Sequence, residues 1–560
     1  MNNKKIISCL ALALVIIVSF LLGFYQISPM SAERENQKTT GFSLDKALQH
    51  IKVIARSPHP VGSVQNKAVR EYIENYLKGM GLYVELEKET VQRRGKTYTV
   101  ENVLAKIDGS DKEGINVMLS AHYDSTPNGP GAADNGAGVA SVLEAVRIIK
   151  AEGQPKNNMY ILFSDGEEVG LIGAEAFAKT KSDRLKDMDF VVNFEARGNQ
   201  GPVIMFESSD KNLGLINAFR KVAPNPIGFS FSQDIYKRMP NDTDFTVFKD
   251  AGIKGMNFAA FDGFDAYHTQ KDTVENLNIN SLEHYGTIAE TIAGYYGNIS
   301  RSEFEKINAQ KDTDAVYFPL FKGNLIVYSQ KAVVLIMLIT LLGFLLTIIV
   351  SVRRKAISIK NILLGSLFCL GMIIAACGIS IPVIKLITII HNLRARGFTI
   401  ESFKYSNLYI VIISVALIFL IYAACRMFTK KIKHLELICG GVVIWSIILL
   451  LTSIYLKGSS YIFQWPLIPF IIFIAYIAFR GIERVGIIEK TILLSVACFT
   501  TIMVFLPVIY MVYIAMTIGI LPVLSFLVTV PAVPLLSLVM FIFNNKKQRT
   551  SAGINRQAEI

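Results

Sequence analysis

The stretch that decides the fold of the first half of the chain is residues 115–150, INVMLSAHYDSTPNGPGAADNGAGVASVLEAVRIIK. Its first part, Ile115–Ala121, is a short apolar run typical of a strand buried on both faces. Its last part, Gly138–Lys150, repeats apolar residues at helical spacing. Small residues fill the loop between them, so the stretch predicts a strand, a tight loop and a helix in succession.

Apolar runs and helical patterns continue to alternate after this stretch. The further predicted strands are Met159–Ser164, Phe190–Phe194, Pro202–Glu207 and Gly255–Phe261, and the further predicted helices are Gly173–Lys179 and Asn212–Val222. Alternation of this kind predicts an α/β domain with a doubly wound, mainly parallel sheet. In such a sheet, a functional site forms beyond the carboxyl ends of the strands.

The composition divides the 560-residue chain into a polar front half and an apolar back half. Hydrophobic residues make up 51% of the chain, and charged residues become sparse after about Asp314. We predict an N-terminal segment 1–33, an α/β ectodomain 34–325, an all-α transmembrane domain of about seven helices at 326–543, and a basic cytoplasmic tail 544–560. The 6 cysteines all lie in or beside apolar runs, so the ectodomain is expected to have neither a disulfide nor a cysteine metal site.

Apolar runs of about 20 residues, the length that crosses a bilayer, occur in both parts of the chain. The predicted spans are about Ile6–Tyr25, Lys331–Val352, Ile362–Ile384, Leu408–Cys425, Leu435–Tyr455, Ile462–Phe479, Thr491–Tyr513 and Leu521–Phe543. The first run has a longer apolar core than a usual secretory signal, which favours an anchor over a cleaved signal. The lipid bilayer is therefore an expected partner, and the helices are interpreted as an anchor rather than a transport path, because the spans contain few charges.

Basic residues cluster in alternate loops between the predicted spans. Segments 351–360, 426–434 and 480–490 and the tail from Asn544 are basic, whereas 457–461 and 517–520 are nearly uncharged. This alternation places the ectodomain outside the cytoplasm and the C-terminus inside it, with the loop His391–Lys404 as an exception. The plasma membrane is the expected location. The same clustering explains the net charge of +12 without a nucleic-acid partner.

Residues that suit a metal follow the predicted parallel strands. They are His122 and Asp124, Asp134 in the Gly/Ala-rich loop, Glu167 and Glu168, Glu195, and His268. A pair of zinc ions needs two histidines, two terminal carboxylates and one bridging carboxylate, and this set also leaves a spare carboxylate to act as a base. Any one of these residues alone would more often be a packed or solvated side chain, or in the case of Asp134 a helix cap. Their joint position at strand ends favours a metal site.

Two further expectations concern side chains near this set and elsewhere. Asp124 could accept the second N–H of His122 and so orient its ring. By contrast, His50 and His284 are predicted to lie on helix surfaces, without a part in the site.

Four strings in this chain are similar to motifs of the M28 aminopeptidase family of zinc peptidases. They are SAHYDS (120–125), GAADNGAG (131–138), FSDGEEVGLIGA (163–174) and YHT (267–269). The segment SPHPVGS (57–63), together with the apolar back half, resembles the membrane-anchored branch that includes Fxna-like endoplasmic reticulum metallopeptidases and fungal vacuolar membrane proteases. The likeness covers about residues 40–300.

The resemblance implies a role for each of these residues. One zinc ion would be held by His122, Asp134 and Glu195, and a second by Asp134, Glu168 and His268. Glu167 would be the general acid and base, Asp124 would orient His122, and the peptide bond after Asp134 would be cis. Tyr267, with Tyr236 as its competitor, would donate to the oxyanion.

The chain departs from the family pattern at two positions. Glu195 stands where soluble members often have Asp, and the family's Ser-Asp-His or Ser-Asp-Tyr pattern occurs only as Thr243-Asp244-Phe245. Asp244 is therefore a weaker candidate for a supporting role.

The implied activity is removal of N-terminal residues from peptide substrates on the extracytoplasmic side. A carboxypeptidase or a glutaminyl cyclase on the same fold, and a receptor or scaffold without catalysis, are the alternatives. A transporter fed by the peptidase would require polar networks in the spans, and the sequence does not show them.

Overall fold

The computed structural model describes residues 3–31, 41–239, 241–309, 313–393, 395–396, 399–400, 403 and 405–543. The predicted tail 544–560 lies outside these residues. The chain forms two compact units. One comprises Phe24–Val333 with Leu456–Ser459, and the other comprises Met1–Gly23, Val334–Tyr455 and Ser460–Ile560.

A seven-stranded sheet is the centre of the first unit. Its strands are β1 (Val84–Arg93), β2 (Lys96–Ile107), β3 (Asn116–His122), β4 (Asn158–Ser164), β5 (Phe190–Ala196), β6 (Gln200–Ser208) and β7 (Lys254–Asp262). They lie in the order β1-β2-β4-β3-β5-β7-β6. The four central strands, β4, β3, β5 and β7, run parallel to one another. The pairs β1–β2, β2–β4 and β7–β6 are antiparallel. The mainly parallel α/β sheet is therefore confirmed, with an antiparallel hairpin on one side that the sequence analysis did not predict.

Helices precede, connect and follow these strands. They are α2 (Leu44–Ile54), α3 (Val64–Gly79), α4 (Gly138–Glu152), α5 (Ile172–Thr180), α6 (Ser182–Lys186), α7 (Leu213–Val222), α8 (Ser230–Tyr236), α9 (Asp244–Asp250), α10 (Ile279–Asn298) and α11 (Arg301–Ala309), after an initial helix α1 (Asn3–Tyr25). A two-stranded ribbon, β8 (Ala315–Pro319) with β9 (Leu325–Ser329), completes this unit.

The sheet is covered on both faces because side chains alternate along each strand. Val117 and Leu119 of β3 belong to a large core with residues of α2, α3, α4, α7 and α10. Met118, between them, belongs to a separate core with Phe177 of α5 and Phe248 of α9. Burial on both faces explains why β3 is apolar throughout and confirms the doubly wound arrangement.

The predicted surface position of two histidines is wrong. His284 is completely buried, and His50 is 3% exposed. His50 lies on α2 beside the rings of Tyr72 and Tyr76, while His284 lies on α10 between β6 and Asn225. Both helices use these histidines in the face that packs on the core.

The second unit is a set of long apolar helices. After α1, they are α12 (Gln330–Arg353), α13 (Ile359–Ile390), α14 (Ser406–Phe428), α15 (His434–Tyr455), α16 (Tyr461–Arg480), α17 (Ile487–Met516) and α18 (Leu521–Phe543). Within the described part of the chain, seven helical segments are long and apolar enough to cross a membrane, and the last of them, Ile487–Phe543, contains both α17 and α18. Each apolar run predicted from the sequence lies within one of these helices. A short ribbon, β10 (Ala395–Arg396) with β11 (Thr399–Ile400), lies between α13 and α14.

Polar side chains within these helices form helix-to-helix hydrogen bonds. Gln464 Nε2 donates to Thr340 Oγ1 at 2.6 Å, and Trp445 Nε1 donates to the carbonyl of Phe463 at 3.0 Å. Such bonds stabilise helix packing where lipid offers no hydrogen-bonding partner.

Candidate metal centre

The predicted metal-ligating residues lie at the carboxyl ends of neighbouring parallel strands. His122 ends β3, Glu168 follows β4, Glu195 lies near the end of β5, and His268 follows β7. Because β4, β3, β5 and β7 are adjacent in the sheet, their ends meet at one edge. Asp134 reaches the same edge from the turn Ala132–Ala137 that precedes α4.

The donor atoms of these residues form two sets that share Asp134. His122 Nε2 lies 3.3 Å from Asp134 Oδ1 and 3.5 Å from Glu195 Oε2. His268 Nε2 lies 3.2 Å from Asp134 Oδ2 and 3.1 Å from Glu168 Oε2. Two ligand atoms on one tetrahedral zinc, each bonded at about 2.0–2.1 Å, are about 3.3 Å apart. Both sets therefore have the spacing that a zinc ion requires.

Unsatisfied donor atoms and the local charge also fit bound cations. His122 Nε2, His268 Nε2 and Glu168 Oε1 are buried and have no hydrogen-bond partner among the described residues. Burial, followed by repulsion from Asp134, raises the pKa of Glu168 to about 7. Burial, followed by the charge of Glu195, likewise raises the pKa of Glu167. Carboxylates in such surroundings are stabilised by nearby positive charge, which divalent ions would supply.

Asp124 supports two of the loops that carry the donors. His122 Nδ1 lies 3.1 Å from the Asp124 carbonyl oxygen and 3.4 Å from its Oδ1, which leaves Nε2 facing the donor set. The backbone N–H groups of Glu167 and Glu168 donate to Asp124 Oδ1 and Oδ2 at 3.0 and 3.3 Å. The first contact was anticipated from the sequence, whereas the second, which orients the Glu167–Glu168 turn, was not.

Asp272 has a comparable position that the sequence analysis missed. Its Oδ1 accepts the backbone N–H of Ala133 at 2.7 Å, and its Oδ2 accepts that of Asp134 at 3.1 Å. Its carbonyl oxygen also accepts the N–H of Ala132 at 3.2 Å. Asp272 therefore fixes the loop of the shared carboxylate to the loop of His268. The sequence did contain one indication of this role, because Asp272 follows the candidate ligand His268 by four residues.

The loop that presents Asp134 is tightly built. Gly131 has a φ of +76°, and a Cβ placed there would lie 2.7 Å from the carbonyl oxygen of Asp134. The Asp134–Asn135 peptide bond is cis, as the resemblance implied. Asn135 Nδ2 donates to the carbonyl of Phe194 at 2.7 Å, which attaches the loop to β5.

Asp244, the weaker candidate, lies at the start of α9 and is fully buried. It accepts a hydrogen bond from Ser164 Oγ at the end of β4. Burial, followed by the charge of Glu195, raises the pKa of Asp244 to about 7. Asp244 therefore lies beside the end of β4.

A cavity of about 270 Å³ opens beside the donor sets. Its lining includes Asp134, Glu167, Glu195, Arg197, Phe206, Tyr236, Asp242, Phe261 and Tyr267. Both tyrosines considered as oxyanion donors therefore face this space. The ring of Tyr267 stacks on His268 with centroids 3.7 Å apart, and Tyr236 packs edge-on against Phe206. Burial is the main cause that raises the pKa of each of these phenols, which keeps them protonated as donors.

The structure thus combines a mainly parallel sheet, two donor sets that share one carboxylate, and an adjoining cavity, which is the arrangement of a candidate two-metal site. Residues 102–293 match the family model described as Peptidase family M28, so this part of the chain is similar to that family. This family implies zinc as the metal. Its long apolar helices indicate a membrane protein.

The curated relatives are fungal proteins named vacuolar membrane protease. The one from Candida dubliniensis is 31% identical over 328 residues, which cover 56% of this chain and 34% of the relative. The one from Lachancea thermotolerans is 26% identical over 490 residues, or 82% of this chain and 50% of the relative. The chain thus spans about a third of the length of the first of these relatives and half of the second.

Solved structures with a similar fold include two bacterial enzymes. An aminopeptidase from Aneurinibacillus sp. strain AM-1 is 15% identical, with a TM-score of 0.37, and the match covers 45% of this chain and 93% of that one. A glutaminyl cyclase from Porphyromonas gingivalis is 19% identical, with a TM-score of 0.38, and the match covers 46% of this chain and 98% of that one.

Proposed function

We propose that the domain at 34–325 is a two-zinc aminopeptidase that removes N-terminal residues from peptides. The observation that supports this most is the convergence of two donor sets on the two oxygens of Asp134, next to a cavity that Glu167 lines. His122, Asp134 and Glu195 would hold one ion, and Asp134, Glu168 and His268 the other. Zinc ions bound there would lower the pKa of a water molecule and polarise a peptide carbonyl.

Glu167 is the proposed proton carrier of the reaction. It lines the cavity but belongs to neither donor set. Its backbone N–H donates a hydrogen bond to Asp124 Oδ1, which fixes the position of the residue. The raised pKa of Glu167 suits this role. Its carboxylate would accept a proton from water at an Oε atom and then donate that proton to the leaving amine.

Acidic side chains in the cavity support cleavage at the amino end. Besides the proposed zinc ligands Asp134 and Glu195, the acidic residues that line it are Glu167 and Asp242, and neither belongs to a donor set. A free α-ammonium group is attracted to such a surface, whereas an amino-blocked peptide loses that attraction. We therefore expect free-amine peptides to be the substrates rather than blocked ones.

Tyr267 is the proposed donor to the oxyanion, with Tyr236 as the competing donor. Both phenols line the cavity, but only Tyr267 is stacked on a candidate zinc ligand. Phenylalanine at the correct position should lower kcat by about 10²–10³. The same change at the other tyrosine should have a much smaller effect on kcat.

The proposal places this domain on the extracytoplasmic face of the plasma membrane, with the C-terminus in the cytoplasm. The support is the alternation of basic and nearly uncharged loops. Protease protection in sealed vesicles would test the orientation, and cell fractionation would test the location. Recovery of the chain with internal membranes would contradict the second part.

Turnover and metal content together test the proposed activity. The purified full chain in detergent should release leucine from a free leucyl peptide and leave the N-acetylated peptide intact. A chelator should abolish this release, and added zinc should restore it with two ions bound per chain. Shortening from the carboxyl end, or cyclisation of an N-terminal glutamine without peptide cleavage, would replace the proposal by one of its rivals.

A further inference from the structure

The cavity beside the donor sets has an uneven distribution of charge. Besides the proposed zinc ligands Asp134 and Glu195, its acidic lining residues are Glu167 and Asp242, and Arg197 is the single Lys or Arg among the described residues that line it. An acidic surface attracts the amino end of a peptide, and a guanidinium attracts a carboxylate. The two features therefore suit the two ends of a short peptide.

Arg197 is directed to the cavity by the strand that precedes it. It lies two residues after Glu195, and its backbone N–H donates to the Ala260 carbonyl at 2.9 Å, which prolongs the pairing of β5 with β7. Arg197 directly follows the last residue of β5, Ala196, and lines the same cavity as Glu195.

Aromatic rings support the guanidinium of Arg197. Its Cζ lies 5.1 Å from the ring centroid of Phe264 and 5.6 Å from that of Tyr267. These two rings stack on each other with centroids 5.6 Å apart, and Tyr267 stacks in turn on His268. Arg197 is thus one ring away from a candidate zinc ligand. A guanidinium is planar and carries five N–H donors in a fork that matches a carboxylate.

We propose that Arg197 binds a carboxylate of the substrate, so that the preferred substrates are short peptides and above all dipeptides. This inference rests on the proposed aminopeptidase function. An extended chain advances about 3.5 Å per residue, so only a carboxylate close to the scissile bond can reach a group beside Tyr267 and His268.

Paired substrates test this proposal with the full chain in detergent and with zinc present. Leucylglycine should have a KM about tenfold or more below that of leucylglycine amide, because only the former offers a charge-assisted bond to Arg197. Arg197→Gln should raise the KM of leucylglycine to that of the amide. Arg220→Gln, an exposed change on α7, is the matched control and should preserve the difference.

A second pair of comparisons identifies the source of the carboxylate. The pairs are glutamyl-leucine amide with glutaminyl-leucine amide, and leucyl-glutamic amide with leucyl-glutamine amide. A preference for the acidic member that disappears in Arg197→Gln still supports the anion site and assigns it to a side chain. If no pair shows such a preference, or if both members of each pair weaken equally in the variant, Arg197 only supports Tyr267 and the proposal is wrong.

A binding measurement separates this inference from the proposed activity. Calorimetry with a reduced-bond analogue of leucylglycine, with a free or an amidated end, needs no turnover. Tighter binding of the free end by wild type but not by Arg197→Gln supports the anion site even if no peptide is cleaved. Equal binding of both ends overturns it even if leucyl peptides are cleaved as proposed.

Discussion

Acid should destabilise the α/β unit through His284, a residue remote from the proposed chemistry. His284 Nδ1 accepts the backbone N–H of Val203 at 3.0 Å, and its Nε2 donates to the Asn225 carbonyl at 3.1 Å. The imidazole must therefore be neutral, because a proton on Nδ1 would face the N–H of Val203. Burial is the main cause that lowers the pKa of His284 from 6.5 to about 4.

The sign and size of the effect follow from these two values. The unfolded chain binds the proton near pH 6.5 and the folded chain only near pH 4, so folding is favoured fully above pH 6.5 and progressively less as the pH falls towards 4. The complete loss is about 3 kcal/mol, of which about 2 kcal/mol should already be lost at pH 5.

His284→Asn, which cannot titrate, is the variant for the measurement. Both tryptophans, Trp445 and Trp465, lie in the apolar half, so urea titration read by proteolysis of segment 200–300 is preferable to fluorescence. The variant should be less stable than wild type at pH 7.5, because it loses a buried hydrogen bond. The difference in free energy of unfolding between wild type and variant should be about 2 kcal/mol smaller at pH 5. A gap that is the same at both pH values would refute the reasoning.

Three further predictions concern the site. Glu167→Gln should lower kcat by about 10²–10⁴ while both ions stay bound, as metal analysis beside peptide assays would show; unchanged kcat would remove the proton-transfer role. Asp272→Asn places an amide where two backbone N–H groups donate, so the affinity for zinc, measured by competition with a chelator, should fall about 10–100-fold. The exposed control Asp265→Asn should keep the wild-type affinity. Equal zinc affinity in the two variants would contradict the role assigned to Asp272. Gly131→Ala should lower the free energy of unfolding in urea by about 1 kcal/mol or more beyond the loss in Gly62→Ala. Both glycines have a similar positive φ, but only at Gly131 would the added Cβ meet backbone atoms. Equal losses in the two variants would exclude that contact.

The sequence was most informative where a pattern depends on neighbours along the chain. The apolar run before His122 and the small residues before α4 specify local conformation. The polar residues predicted to follow the strands include all five members of the two geometric donor sets. The hairpin of β1 and β2 was missed because Val84–Arg93 is rich in charge, and its outward face remains exposed as an edge strand.

Long-range contacts account for the other differences. Asp272 supports Asp134 from 138 residues away, and no local pattern specifies that pairing. His284 did have a usable signal, because Ile288 and Ile292 follow at intervals of four and both are buried. Polar neighbours favoured a surface position, but the packing of α10 on β6 decided the burial.

The two supporting aspartates show how a few short motifs can define a site built from distant segments. Asp124 follows His122 by two residues and binds the N–H groups of the turn that carries Glu168, a donor of the other set. Asp272 follows His268 by four residues and binds the N–H of Asp134, which both sets share. The loop after His122 therefore holds Glu168, which is in the donor set of His268. The loop after His268 holds Asp134, which is also in the donor set of His122. The two sets are connected through main-chain hydrogen bonds as well as through Asp134, so a displacement of either loop changes the ligand geometry of both sets.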